Sequence, residues 1–144
     1  MIKHFIYPVA LTKEAEGGYL VKFPDLPEAI TQGETLEDAL REAADCLEET
    51  IANRMAMKLE IPKPSRSKKN QHTISLHATI AAKAALYLSM RKEKLSNTAL
   101  AKKLHCDEKE VRRMLDPYYY SKLPSIEHAL NMLGQQLEIS ISRL

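Results

Sequence analysis

The sequence predicts an α+β fold: a small antiparallel sheet with one covering helix, joined to an all-α second half. Three observations predict it. Residues 1–33 hold short runs of strand formers punctuated by Gly and Pro. From Thr35 onward, apolar residues recur every three and four positions instead of every two. Between residues 61 and 70 the composition shifts to Pro62, Pro64, Ser65, Ser67 and a basic quartet, Lys63, Arg66, Lys68 and Lys69, which reads as a linker or long loop. The 144 residues suffice for one domain or two small ones, and 44% hydrophobic with 28% charged residues is ordinary for a folded chain. Two cysteines exclude a disulfide scaffold. No apolar run nears the ~20 residues that span a bilayer; the best, residues 78–90, is interrupted by Lys83. The first eight residues lack the apolar stretch of a signal peptide, so a cytoplasmic protein is expected, with no membrane partner.

Taken in order, residues 5–12 form a first strand, with Pro8 placing it at an edge or a strand start. Residues 13–18 are a polar, glycine-ended connection, and residues 19–23 alternate as a second strand. Pro24, Asp25, Leu26 and Pro27 make a turn; residues 28–32 supply a short third strand closed by Gly33. Thr35 and Asp38 have capping-box spacing at a helix start. Leu36, Ala39, Leu40, Ala43, Leu47 and Ile51 form that helix's apolar face, while Glu37, Glu42, Asp45, Glu48 and Glu49 lie largely off it. Residues 72–76 read as a last strand returning to this module. The boundary therefore falls near residue 77, giving domains 1–77, with 61–71 as the loop, and 78–144.

In the second domain, residues 78–94 read as a long alanine-rich helix. Ser96 is the N-cap of the next, with Leu95 and Leu100 at staple positions. A break at His105, Cys106 and Asp107 follows, and Asp107 and Glu110 repeat capping-box spacing before a helix with Val111, Met114 and Leu115 inward. Pro117 ends it. Ser125 is expected to cap a fourth helix, with Ile126, Ala129, Leu130 and Leu133 inward and Gly134 at its C-terminal end. Residues 137–141 alternate as a terminal strand, which with the fourth helix is the expected dimer seam.

The formal charge of +2 conceals an asymmetry. Residues 1–60 hold 6 Lys+Arg against 12 Asp+Glu, net −6; residues 61–122 hold 14 against 5, net +9; residues 123–144 hold 1 against 2, net −1. An acidic half joined to a basic half predicts two modules with different partners. Residues 97–115 have helix-turn-helix spacing, with Ala101 small where two helices cross. A recognition helix needs long polar side chains on one face, which Glu108, Lys109, Arg112 and Arg113 supply. Asn97, Thr98, Lys102 and Lys103 are placed to meet phosphates. The competing reading is a helical interaction bundle with a solvated basic face. Tyr118, Tyr119 and Tyr120 read as loop packing, with a reach to the DNA backbone as the alternative. This arrangement resembles the lambda-repressor-like (Xre-type) family, except that its usual turn glycine is His105 here, at a cost of about 1 kcal/mol.

Tyr7-Pro8-Val9-Ala10-Leu11, Gly17-Gly18-Tyr19, Phe23-Pro24-Asp25-Leu26-Pro27-Glu28-Ala29, Thr31-Gln32-Gly33-Glu34-Thr35 and Glu37-Asp38-Ala39 stand in an order that resembles the HicB antitoxin family over about the first 60 residues. The resemblance implies a partial RNase H-like N-terminal domain that masks a small HicA toxin, an mRNA-cleaving ribonuclease. It also implies a C-terminal domain that binds operator double-stranded DNA as a homodimer and represses the operon, a tetramer being left open. On that reading the toxin contacts are Tyr19, Phe23, Asp25, Leu26, Glu28 and the acids of the Thr35 helix, with Phe23 and Leu26 equally suited to the core. An acidic module would complement a basic toxin.

No enzyme is expected. RNase H chemistry needs carboxylates on neighbouring strands to hold two metals, and residues 5–12 carry no Asp or Glu. The five histidines form no ligand-spaced cluster with the cysteines, and Cys46 reads as a small hydrophobe, so no catalytic residue, metal or cofactor is assigned. The alternatives are a free-standing transcription regulator with a ligand-sensing or assembly module, and, less favoured, a nuclease.

Overall fold

Residues 5–12, expected as one strand, divide at Val9. The computed structural model, which describes residues 1–143, shows β1 (Ile6–Pro8) and β2 (Ala10–Lys13) in different sheets. Pro8 offers no N–H to a ladder, and the Val9 N–H donates instead to the His72 carbonyl at 3.0 Å. β1 therefore pairs antiparallel with β5 (Thr73–Ser75), the strand expected at residues 72–76, with Tyr7 opposite Ile74. β2 pairs antiparallel with β3 (Tyr19–Phe23), and β3 with β4 (Leu26–Gly33). The turn before β4 is only Pro24 and Asp25. Leu26 and Pro27 already belong to the strand, where proline is tolerated because β4 is an edge.

Gly33 ends β4 where a side chain would collide with the helix that follows: a Cβ there would lie 2.3 Å from the Ala39 nitrogen. That helix, α1 (Leu36–Ala56), starts as expected, with the Thr35 hydroxyl accepting from the Asp38 N–H at 3.1 Å. Ala39, Ala43, Leu47 and Ile51 are fully buried with Tyr7, Val9, Val21, Phe23, Leu26 and Ala29 of the strands. Leu36, assigned to the apolar face, is instead exposed at the helix mouth.

The 61–71 segment has no regular structure but is anchored. Tyr7 donates its hydroxyl to the Pro62 carbonyl at 2.8 Å. The Ser65 N–H donates to Asp25 Oδ2 at 2.8 Å, and its hydroxyl donates to Asp25 Oδ1. Gln71 Nε2 donates to the Val9 carbonyl at 3.2 Å. The chain divides into two compact units, Met1–Ala78 and Thr79–Leu144. The anchored basic quartet thus belongs to the first unit, and the charge division is milder than the segment count suggested. Residues 1–78 hold 10 Lys+Arg against 12 Asp+Glu, net −2, and residues 79–144 hold 11 against 7, net +4.

The second unit is all-helical. α2 (Ala78–Lys92) ends through Lys94 in the left-handed region, φ +54°, with Leu95 N–H on the Met90 carbonyl. α3 (Asn97–Leu104) is capped by Ser96, whose hydroxyl accepts from the Ala99 N–H at 3.1 Å. His105 takes the turn at φ +53°, ψ +44°, the left-handed conformation expected of it. α4 (Glu108–Leu115) has Asp107 in the N-cap position, but its side chain accepts no cap hydrogen bond, so the second capping box does not form. α5 (Leu123–Met132) begins before Ser125: Lys122 holds the N-cap position, and Pro124, needing no N–H partner, sits in the first turn. Gly134, φ +74°, follows the end of α5 as expected. Leu86, Met90, Leu100, Ala101, Val111, Ile126, Ala129 and Leu130 form the core. Residues 137–141 make no strand within the described chain; Leu137 packs on the core while Ile139 and Ile141 are exposed.

Candidate functional site

In α4 the buried Val111 and half-buried Met114 and Leu115 fix the inner face, since successive residues are about 100° apart. Lys109 and Arg113 then fall on the opposite face, with Arg112 on its flank. Lys109 and Arg112 are exposed; Glu108, half-buried, pairs with Arg112 at 3.3 Å one turn on. Arg113 is half-buried because its guanidinium lies over the Tyr119 ring, 5.1 Å from the centroid. On α3, Thr98, Lys102 and Lys103 are exposed and Asn97 half-buried. All eight expected DNA contacts therefore lie on this helix pair. The tyrosines depart from expectation: rather than packing in the loop, Tyr118 and Tyr120 are 75% and 85% exposed.

A residue that periodicity passed over organises this region. Lys83, in α2, is completely buried and has no carboxylate partner among the described residues. Its ammonium donates to the carbonyls of Arg113 (3.1 Å), Asp116 (2.6 Å) and Tyr119 (2.6 Å). Three donors meet three acceptors; the Arg113 and Asp116 carbonyls also accept the Asp116 and Tyr119 N–H groups at 3.3 and 3.1 Å. Burial pushes the Lys83 pKa below its ordinary value, and the Asp116 charge partly opposes this. The only sequence signal was a lysine inside an otherwise apolar run.

In the first unit the five expected partner contacts do not form one patch. Tyr19 lies half-buried at one end of β3, beside an open depression rimmed by Glu14, Glu16 and Glu34. Phe23 and Leu26 face each other at the other end of β3 and are buried in the core, so they shape the surface from beneath. Asp25 is engaged by Ser65. Glu28 accepts two hydrogen bonds from Arg54, Nε at 2.6 Å and Nη2 at 2.9 Å, while Arg54 Nη1 donates to the Glu60 carbonyl at 2.7 Å. The Arg54 hydrogen bonds lower the Glu28 pKa and raise that of Arg54. Burial, with the Asp25 charge, pushes Tyr7 up to about 12. The exposed acids are Glu37, Glu42, Asp45 and Glu49 on α1.

Among the described residues, no three His, Cys, Asp or Glu side chains come together as metal ligands, and no helix is long and apolar enough to cross a membrane. Residues 6–85 match the family model described as HicB_like antitoxin of bacterial toxin-antitoxin system. The chain is 37% identical over 139 residues to Antitoxin HicB 2 of Photorhabdus laumondii subsp. laumondii, covering 96% of this chain and 98% of the relative. It is 32% identical over 133 residues to Antitoxin HicB of Escherichia coli K12, covering 92% and 96%. These similarities continue through both units, and the chain belongs to the HicB-like antitoxin family.

Proposed function

We propose that this antitoxin neutralises a HicA-type mRNA-cleaving toxin with its first unit and represses its own operon with its second. The second would bind operator double-stranded DNA as a homodimer through α3 and α4, read as a helix-turn-helix. The observation that carries the DNA half is the group Lys109, Arg112 and Arg113 off the Val111 face, on a short helix behind a tight His105 turn. Arginine matches the major-groove edge of guanine, and the exposed Thr98, Lys102 and Lys103 suit phosphates. A two-fold operator needs two readers one DNA turn apart. Met132, Ile139 and Ile141 are exposed apolar side chains that a dimer seam would cover.

The toxin half is supported by the family and by the acids on α1, which suit a basic RNA-handling partner. The test separates the halves. Arg112→Ala with Arg113→Ala should abolish binding to DNA from upstream of the gene, read by mobility shift. Rescue of cells coexpressing a HicA-type toxin should be unchanged. If both activities fell together in a folded variant, the division of labour would be wrong.

A further inference from the structure

Resting on the proposed DNA reading of α4, we infer that Lys83 is a positioning residue for operator binding: it fixes the end of α4 and the following tyrosine loop as one rigid presenting surface. Its ammonium joins the backbone of Arg113, inside α4, to that of Tyr119, six residues on in the loop. These two residues are the partners in the guanidinium–ring stack. The backbone clamp therefore sets the side-chain stack and so the direction in which Arg113 is offered. The Asp116 carbonyl closes the intervening turn on the same ammonium, and the Ser121 hydroxyl makes a long bond, 3.4 Å, to the Arg113 carbonyl. Such a loop would ordinarily be loose: it carries tyrosines at positions 118 and 120 with most of their surface in solvent. An exposed aromatic pair on a clamped backbone is a preformed contact surface, because the ordering cost of binding is already met in the free chain.

Lys83 itself touches no ligand, being buried. That gives its role a signature distinct from that of a phosphate-binding lysine. Replacing a phosphate contact lowers both affinity and the slope of log affinity against log salt, by roughly 0.9 per contact. Replacing a positioning lysine lowers affinity and leaves the slope unchanged.

The experiment uses the full chain and a duplex from upstream of its own gene, titrated at several salt concentrations and well below the unfolding temperature. Lys83→Met should bind about tenfold more weakly, comparable to losing one good base contact, with the wild-type salt slope. Lys109→Ala should lose slope as well. Leu86→Ala, a core truncation in the same helix, controls for stability and should bind within about twofold of wild type while folded. Parallel losses in Lys83→Met and Leu86→Ala would make Lys83 merely structural and overturn the inference while leaving the DNA reading intact. Should Lys83→Met not fold, Tyr119→Ala decides, since it removes the ring and leaves the ammonium clamped. A several-fold loss, not deepened by adding Arg113→Ala, supports the inference, and wild-type affinity overturns it. A wild-type chain that does not bind the duplex overturns the inference and the reading together.

Discussion

The two units anchor their irregular segments by opposite means. In the second, the loop after α4 is held by one buried ammonium that collects three carbonyls. In the first, the segment after α1 is held by several separate contacts: Arg54 on Glu28 and the Glu60 carbonyl, Tyr7 on the Pro62 carbonyl, and Asp25 on Ser65. A concentrated anchor in the core gives rigidity at the risk of a single failure. A distributed anchor near solvent is weaker at each point, and no single substitution removes it.

The sharpest way to break this comparison is Lys83→Met. It leaves the Tyr119 carbonyl without its donor, whereas the Arg113 carbonyl keeps the Asp116 N–H and the Asp116 carbonyl keeps the Tyr119 N–H; a buried acceptor without a donor costs roughly 1–3 kcal/mol. A loss of about 2 kcal/mol in urea unfolding is expected, allowing for apolar packing of the methionine and partial relaxation. A loss below about 1 kcal/mol would show that water or a backbone shift satisfies that carbonyl, and the anchor would not be concentrated after all.

Tyr7 ranks next. Its phenol stays protonated in the folded chain up to about 12, whereas an unfolded tyrosine titrates near 10. The stabilisation is fully present below pH 10 and is lost as pH rises toward 12, because the unfolded chain sheds a proton that the folded chain keeps. The slope should be about 1.4 kcal/mol per pH unit in that window. Tyr7→Phe should abolish Tyr7's share of the slope, and at pH 7 it should cost only about 1 kcal/mol for the hydrogen bond to Pro62. A larger loss at neutral pH would mean that the first unit also depends on one dominant anchor.

What could be read from the sequence follows the same division between local and distant partners. Thr35 and Ser96 were legible as caps because the N–H groups that donate to them lie three residues away. His105 was legible as a left-handed turn because it stands where the lambda-repressor-like family it resembles usually has the turn glycine. The start of α5 was misplaced because Lys122 offers no capping side chain and Pro124 disguises a first turn. The division of the first strand at Val9 depends on His72, 63 residues on, and Lys83 depends on carbonyls 30 to 36 residues away. No local pattern encodes either. Where the eight helix-pair candidates stand was legible because a helix's outer face follows from its inner one; where the first-unit candidates stand was less so, because Phe23 and Leu26 carry the same motif whether they face a partner or the core.

The smallest expected effect is also the finest test of the comparison. Arg54 holds both a carboxylate, Glu28, and a carbonyl, Glu60, and the side chain of Glu28 is 44% exposed. Solvent screens such a pair, so Arg54→Ala should cost no more than about 1 kcal/mol at pH 7. The Glu28 pKa is lowered in the folded chain, so its stabilisation is present above the unfolded value near 4.3 and fades as pH falls through the folded one. If the ion pair carries the anchor, the difference between wild type and Arg54→Ala should shrink as pH falls through the folded Glu28 value, and Glu28→Gln should remove most of it at pH 7. If the difference persists in the Glu28→Gln background, the Glu60 carbonyl is what Arg54 holds. The first unit would then use the same device as the second, a cation on backbone carbonyls, in a wetter setting.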